Sequence, residues 1–295
     1  MKKTSYKLLS CVAVGSLLLT SCYKKFDTNS YAPPFLINGF SSVSQIAPAN
    51  LVAYWSFDGS LTDSVTGTAG TNNGASFVPG FKGKAYQGSN TAYSTFDPNN
   101  TLKNLQSYTI SFWMKSVSNS GAIGIFTLSN PNDFWGNIDI YQDGGSGTDA
   151  VFKVHMNNVR PGVLWGGQFT DTKIPINLWV NITITYDAAT SIFNVYQNAS
   201  QVGVNTPGNP AATKGPKING SDPSVPPVIP YGALQFSNPA KIAFGTFQFQ
   251  VGLSNAGPQS WASNFAGNLD EFRIYNKALS AGEISSMVVL QGKGK

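Results

Sequence analysis

From Leu51 onward, apolar and polar positions alternate in short runs. Val180, Ile182, Ile184 and Tyr186 are separated by Asn181, Thr183 and Thr185. That period of two predicts a half-buried strand. Tyr108–Lys115 (YTISFWMK) sets Ile110, Phe112 and Met114 on one face in the same way. Similar runs recur between Gly, Asn and Asp turns, which predicts an antiparallel sandwich or barrel. Residues 187–191 (DAATS) read as the hairpin connection between strands at 179–186 and 192–197. One short helix is predicted: Ser280-Ala-Gly-Glu283 has capping-box spacing and leads into Ile284, Met287 and Val288. No repeat of solenoid or propeller period is present.

Two stretches break this pattern. Lys2, Lys3 and Lys7 precede an apolar run, residues 8–19, that is too short to span a bilayer, so it reads as an export signal. Leu19-Thr20-Ser21-Cys22 resembles the lipobox of bacterial lipoproteins. The resemblance implies cleavage before Cys22 and lipid on its sulfur, with residues 1–21 as signal peptide and 22–50 as a tether. One docked strand is expected near Phe35-Leu36-Ile37. Two or three acyl chains, at about 0.8 kcal/mol per buried methylene, anchor a chain firmly to a membrane. Tyr23 after the cysteine, instead of Asp, favours by analogy the outer membrane of a Gram-negative bacterium, with surface or periplasmic orientation open. The second stretch, 205–239, carries Pro207, Pro210, Pro216, Pro223, Pro226, Pro227, Pro230 and Pro239. Proline lacks the N–H a ladder needs, so this is an insertion and not a central strand.

Composition narrows the classes. Only 11% of the 295 residues are charged, against 13% aromatic and 41% hydrophobic, which excludes a coiled coil and a charge-driven disordered chain. Both cysteines, Cys11 and Cys22, belong to the signal and its cleavage site, so the mature domain has none for disulfides, nucleophiles or metal. Removing Lys2, Lys3 and Lys7 leaves 19 − 3 = 16 basic against 14 acidic residues. A nucleic-acid partner loses its support at that near-neutral balance.

Four segments then stand in a telling order: residues 51–63 (LVAYWSFDGSLTD), 81–85 (FKGKA), 108–115, and 265–280 (FAGNLDEFRIYNKALS). Together they resemble the LamG-like (laminin G type) domain of the concanavalin A-like lectin/glucanase superfamily, over about residues 51–291. The resemblance implies an all-β, two-sheet antiparallel jelly-roll sandwich with its first and last strands adjacent and one short C-terminal helix. Residues 130–172 and 205–235 depart from the family pattern. Those are the places where ligand specificity would vary.

Glycoside hydrolysis in this superfamily usually needs two carboxylates flanking the bond. Only two glutamates exist. Glu283 is expected in the capping box, and Glu271 on the surface, paired with Arg273 or a neighbouring strand. Asp139 and Asp143 could serve in principle, but only a turn at Gly144-Gly145 marks them. The lone histidine, His155, lies in a strand pattern with no nucleophile elbow nearby, which disfavours a triad. Calcium is the metal that hard oxygen donors would take, with Asp58, Asp63 and Asp270 as expected ligands. Asp270 is placed in phase with Phe272 and Ile274, towards the interior edge. The alternative is that Asp58 and Asp63 cap turns while Asp270 accepts main-chain hydrogen bonds. Sugar sites stack aromatic faces on pyranose C–H surfaces, and Trp135, Trp165 and Trp261 are flanked by turn residues. These three and Tyr231 are the ligand residues expected, with Asp133, Asn137 and Gln168 reading hydroxyls. Trp55, in phase with Phe57, is assigned to the core. The expected role is a non-catalytic, lipid-anchored, lectin-like or adhesion protein for glycan or another extracellular ligand. The alternatives are a scaffold for an outer-membrane partner protein, using the Pro-rich insertion, and a glycoside hydrolase.

Overall fold

A computed structural model describes residues 35–158, 165–168, 172–205 and 232–295, with the backbone alone for 145–146, 158, 165–168 and 203–205. The signal segment, Cys22, Tyr231 and most of the Pro-rich insertion lie outside the described residues. Among the described residues no helix is long and apolar enough to cross a membrane.

Two sheets pack face to face. The eight-stranded sheet runs Ser200–Asn205, Ile192–Gln197, Trp179–Asp187, Tyr108–Lys115, Asn268–Tyr275, Lys84–Gln87 and Ser76–Pro79, and Leu51–Trp55 also pairs with Asn268–Tyr275. First and last strands are thus neighbours. The nine-stranded sheet runs Trp165–Gln168, Asp149–Asn158, Ile138–Ser146, Asn119–Leu128, Ile242–Phe244, Tyr93–Phe96 and Thr71–Asn73. Thr172–Pro175 adds to Asp149–Asn158, and Ala262–Asn264 adds in parallel to Asn119–Leu128. This is the all-β jelly roll expected.

The inward residues of the period-two runs form the core. Ile110, Phe112 and Met114 face Val180, Ile182 and Ile184 across the ladder, and all are buried. At the centre, Phe272 stacks on Phe112 (4.9 Å) and Phe126 (5.1 Å) and meets Phe244 edge-on (4.8 Å). Trp55 joins this cluster through Phe96 and Phe244. Edge-to-face and offset contacts of this kind add about 0.5–1.5 kcal/mol each beyond area burial.

The polar half of the alternation is not solvated. Asn181 and Thr183 are fully buried on the outer face, where Ser111, Thr183 and Asn181 hydrogen-bond in series and Asn181 donates to the Phe112 carbonyl. A second apolar cluster covers part of that face: Ile284, Met287 and Leu290 of the helix Ala281–Gly292, with Tyr196, Tyr275, Val43 and Ile46. The helix begins as expected, with Ser280 and Glu283 closing a reciprocal capping box. Val43 and Ile46 correct the tether boundary, because apolar anchors and two 3₁₀ turns draw residues 37–50 into the unit that spans Ile37–Lys295. Among the described residues no strand forms near Phe35-Leu36-Ile37, where Ile37 makes a single bridge to Phe40.

The last strand holds the largest departure. Glu271 sits at φ +53°, inside a register break between Asp270 and Arg273. A bulge adds one residue, so Leu269 and Phe272 both face the core and Asp270 turns outward. Asp270 is therefore not in phase with Phe272. Glu271 does pair with Arg273, at 2.8 Å, but it is 1% exposed and not on the surface. It also accepts from Tyr54 Oη at 2.8 Å, while the Arg273 guanidinium lies 3.9 Å from the Tyr54 ring centroid. Burial pushes the Glu271 carboxyl up, and the Arg273 charge with the Tyr54 hydroxyl outweighs it, holding the group below the usual carboxylate range.

Removing one partner of such a buried pair strands the other charge, at about 3–5 kcal/mol, whereas replacing both by apolar residues is often neutral. Arg273→Met is therefore expected to destabilise the domain by roughly that amount in urea melts, and Glu271→Leu with Arg273→Met to recover most of the loss. Equal losses in the single and double variants would contradict the pairing.

Candidate functional site

The outer face of the nine-stranded sheet is where aromatic side chains gather. Register sets Thr127, Asp139 and His155 in one row across three strands. All three are buried. Asp139 accepts from Thr127 Oγ1 and from the Gly136 N–H, each at 2.7 Å, and its Oδ2 lies 3.4 Å from His155 Nδ1. The row one step along contains Tyr141 opposite Lys153.

Two loops lie over these rows, and small residues let them. A Cβ on Gly124 would collide with the backbone of Thr246 and Phe247, and one on Gly121 with the Trp261 carbonyl. Glycine at both positions brings residues 245–251 and 259–261 down onto the sheet. Trp261 is then fixed by its carbonyl, which accepts from the Ala122 N–H at 3.0 Å. Gln248 binds the loops together. It is fully buried, donates to the carbonyls of Asn130, Asp133 and Phe134, and accepts from the Asn130 N–H. Gln250 does the same for the carbonyls of Gln259 and Ala262.

The product is a packed aromatic group. Trp135 stacks on His155 (4.9 Å) and Tyr141 (5.7 Å); Phe134 stacks on Phe249 (4.4 Å), and Phe249 on Phe247 (4.9 Å). Trp261 leans over them, 5.5 Å from Phe249 and 6.4 Å from Trp135, and is 44% exposed. Phe247 and Phe249 are fully buried, whereas Phe134 and Trp135 are half-buried. Apolar area held open to water on a rigid base is what a stacking ligand needs.

Of the residues expected at a ligand site, Trp135 and Trp261 come together. Asp133 is adjacent, accepting from the Phe134 N–H at 2.6 Å and from Asn157 at 3.3 Å. Asn137 is corrected: it is buried, and its amide is consumed by Ser129 and by both backbone groups of Ser237. It has nothing left to read a ligand. The backbones of Trp165 and Gln168 pair with Asn158 and His155 at the sheet edge, and Tyr231 lies outside the described residues. Phe134, Phe247, Gln248, Phe249 and Gln250 went unread in the sequence. Their signal was present in Phe247-Gln-Phe-Gln250, whose alternation mimics a strand but folds as a loop and a 3₁₀ turn.

The three aspartates proposed for calcium do not converge, and among the described residues no three His, Cys, Asp or Glu side chains form a metal cluster. Asp63 is spent on its own turn, accepting from Tyr54 N, Val65 N and Thr66 Oγ1. Asp58 and Asp270 share one loop instead. Asp58 accepts from Lys84 N at 2.7 Å and Asp270 from Lys82 N at 2.9 Å. Gly80 and Gly83 leave room for these carboxylates, which a Cβ would strike. Asp270 Oδ1 is buried without a hydrogen bond of normal geometry. Burial pushes the Asp270 carboxyl up from 3.8 to about 7, opposed by the Lys82 N–H and assisted by the charges of Glu271 and Asp58.

Residues 87–228 match the laminin G family within the concanavalin A-like lectin/glucanases superfamily. Among solved structures, domain 4 of AbnA, a GH43 extracellular arabinanase from Geobacillus stearothermophilus, in complex with arabinotriose, is 20% identical at TM-score 0.50, over 81% of this chain and 98% of that one. Botulinum neurotoxin type C, whose cell entry depends on interaction with two ganglioside molecules, is 14% identical at TM-score 0.54, over 84% and 52%. The binding domain of botulinum neurotoxin DC in complex with rat synaptotagmin II is 15% identical at TM-score 0.53, over 83% and 52%. The present chain thus spans about half the length of these toxin chains. No curated protein matches it.

Folding takes up a proton on Asp270 between its unfolded value of 3.8 and its folded value of about 7, so stability falls as pH rises through that window. In the presence of a chelator, Asp270→Asn is expected to melt above the parent at pH 8 and level with it near pH 4. A constant difference across that range in thermal melts would show that the carboxylate is not strained.

Proposed function

We infer that this chain, a laminin G-type jelly roll of the concanavalin A-like superfamily, is a non-catalytic module that binds carbohydrate outside the cytoplasm. The observation that carries this reading is Trp261, 44% exposed over the stacked Phe134, Trp135 and Phe249. A sugar ring laid on an indole removes C–H surface from water without straining the protein, because the base beneath it is already packed. That similar folds accompany arabinotriose and gangliosides supports the reading at the level of fold alone.

The absence of hydrolytic chemistry is part of the proposal. Both glutamates have structural work: Glu283 caps the helix and bonds Lys277, and Glu271 is closed in with Arg273. Asp139 is covered and hydrogen-bonded, and Asp143 is paired with Lys153. The signal pattern and the Leu19–Cys22 lipobox support delivery to the outer membrane on an N-terminal lipid.

A stabilising calcium ion belongs to the same reading. The orphan Asp270 Oδ1 and the neighbouring Asp58 carboxylate are oxygen donors of the kind calcium takes. Asp63 has no place in it.

Two measurements test the proposal. On a broad glycan array the full chain should bind, and Trp261→Ala should weaken binding about tenfold or more, ~1.4 kcal/mol, in a domain that still folds with about 1–2 kcal/mol less stability from the lost aromatic contacts. An array without hits, or unchanged affinity in the variant, would remove Trp261 as the site. Calcium should raise the melting temperature and EDTA lower it, and Asp270→Asn should abolish that response. Identical melts with and without chelator would reject the ion.

A further inference from the structure

Resting on the carbohydrate reading, we propose that the Trp261 site selects uncharged saccharides and rejects those bearing carboxylate or sulfate. The charged groups that this face presents among the described residues are few. Asp139 lies beneath Trp135, hydrogen-bonded to Thr127 and Gly136. Asp133, next to Phe134, keeps a half-buried carboxylate that accepts only from an amide N–H and from Asn157. Lys153, opposite Tyr141 in the ladder, is tied to Asp143 at 2.5 Å. His155 is 3% exposed, between Trp135 and Asp139.

Three carboxylates against one ammonium leave a formal balance of −2 before the imidazole is counted. Among the described residues, the ammonium in this count is held by Asp143 and is not free to meet an anion. Lys173 stands on the same face, opposite Val151, but four residues from His155 along the strand, roughly 13 Å. The rim nearest Trp261 is polar without charge: Asn255 donates to the Asn132 carbonyl, Gln259 to the Gly257 carbonyl, and Ser260 is exposed.

Hydroxyls can exchange hydrogen bonds with such amides in either direction. An anion laid on Trp261 would lose hydration and, among the described residues, find no unpaired cation on this loop face, where the nearby Asp133 carboxylate adds negative charge. The site therefore discriminates by an unpaired charge, which is a stronger device than shape for two sugars of the same outline.

The test uses the full chain on an array that pairs neutral hexose and pentose oligosaccharides with uronate, sialylated and sulfated counterparts of matching linkage. Neutral members should bind at least tenfold more tightly than their acidic counterparts. Neutral binding should hold constant between about 50 and about 500 mM salt, where the Debye length shortens roughly threefold, whereas residual acidic binding should strengthen as salt screens the repulsion. Acidic glycans bound as tightly as neutral ones, or acidic binding that weakens with salt, would overturn the charge selection and leave carbohydrate recognition standing. A chain that holds neither class would overturn the carbohydrate reading and this selection with it.

Discussion

One residue in a left-handed conformation organises much of this domain. Without the bulge at Glu271, strict alternation along Asn268–Tyr275 would send Leu269 and Phe272 to opposite faces. With it, both enter the core, and Asp270, Glu271 and Arg273 all emerge on the outer side. Charges concentrated there under cover must each find a partner. Tyr54 of the first strand and Gln291 of the terminal helix approach Glu271, the Lys82 N–H meets Asp270, and the Trp113 indole donates to Gln291. First strand, loop and helix therefore dock on one set of polar atoms, which explains why segments so distant in sequence close a single face.

The strands and the terminal helix were legible because their signals are local. Period two in residues 108–115 and 179–186 and the capping box at Ser280 depend on near neighbours only. What failed depended on tertiary context. Asp270 was assigned to the wrong face because alternation has no term for a bulge, and a non-glycine residue at positive φ leaves no mark in the sequence. Glu271 was expected in water, but its neighbour Arg273 and a helix that begins ten residues on enclose it. Val43 and Ile46 read as scattered apolar residues in a tether, since nothing nearby reveals the surface they meet.

The candidate site shows the same division. Flanking turn residues were enough to nominate Trp135 and Trp261, because a large aromatic between turn formers has few strand neighbours. They could not separate Asn137, one position beyond Gly136, whose amide is locked by Ser129 and Ser237 about a hundred residues away in one case. Nor could they show that Gln248 carries the loops. A buried glutamine with four main-chain contacts is recognisable only once both loops are in place. Each of its bonds satisfies a carbonyl or amide that a loop pressed onto a sheet would otherwise leave unpaired.

The two faces also divide the available roles. Helix, N-terminal segment and Gly80–Lys84 loop cover much of the eight-stranded sheet, and the polar groups there are bonded to one another. Among the described residues the nine-stranded sheet is covered by loops and one 3₁₀ turn, and these end in Trp261, which is 44% exposed. Its position depends on main-chain clearance at Gly121 and Gly124 and on glutamine bonds, not on the charge cluster of the opposite sheet. The loops at 130–137 and 247–261 are therefore held independently of the bulge and its partners. Aromatic loops on one sheet and a charge cluster on the other are thus each held by their own set of hydrogen bonds.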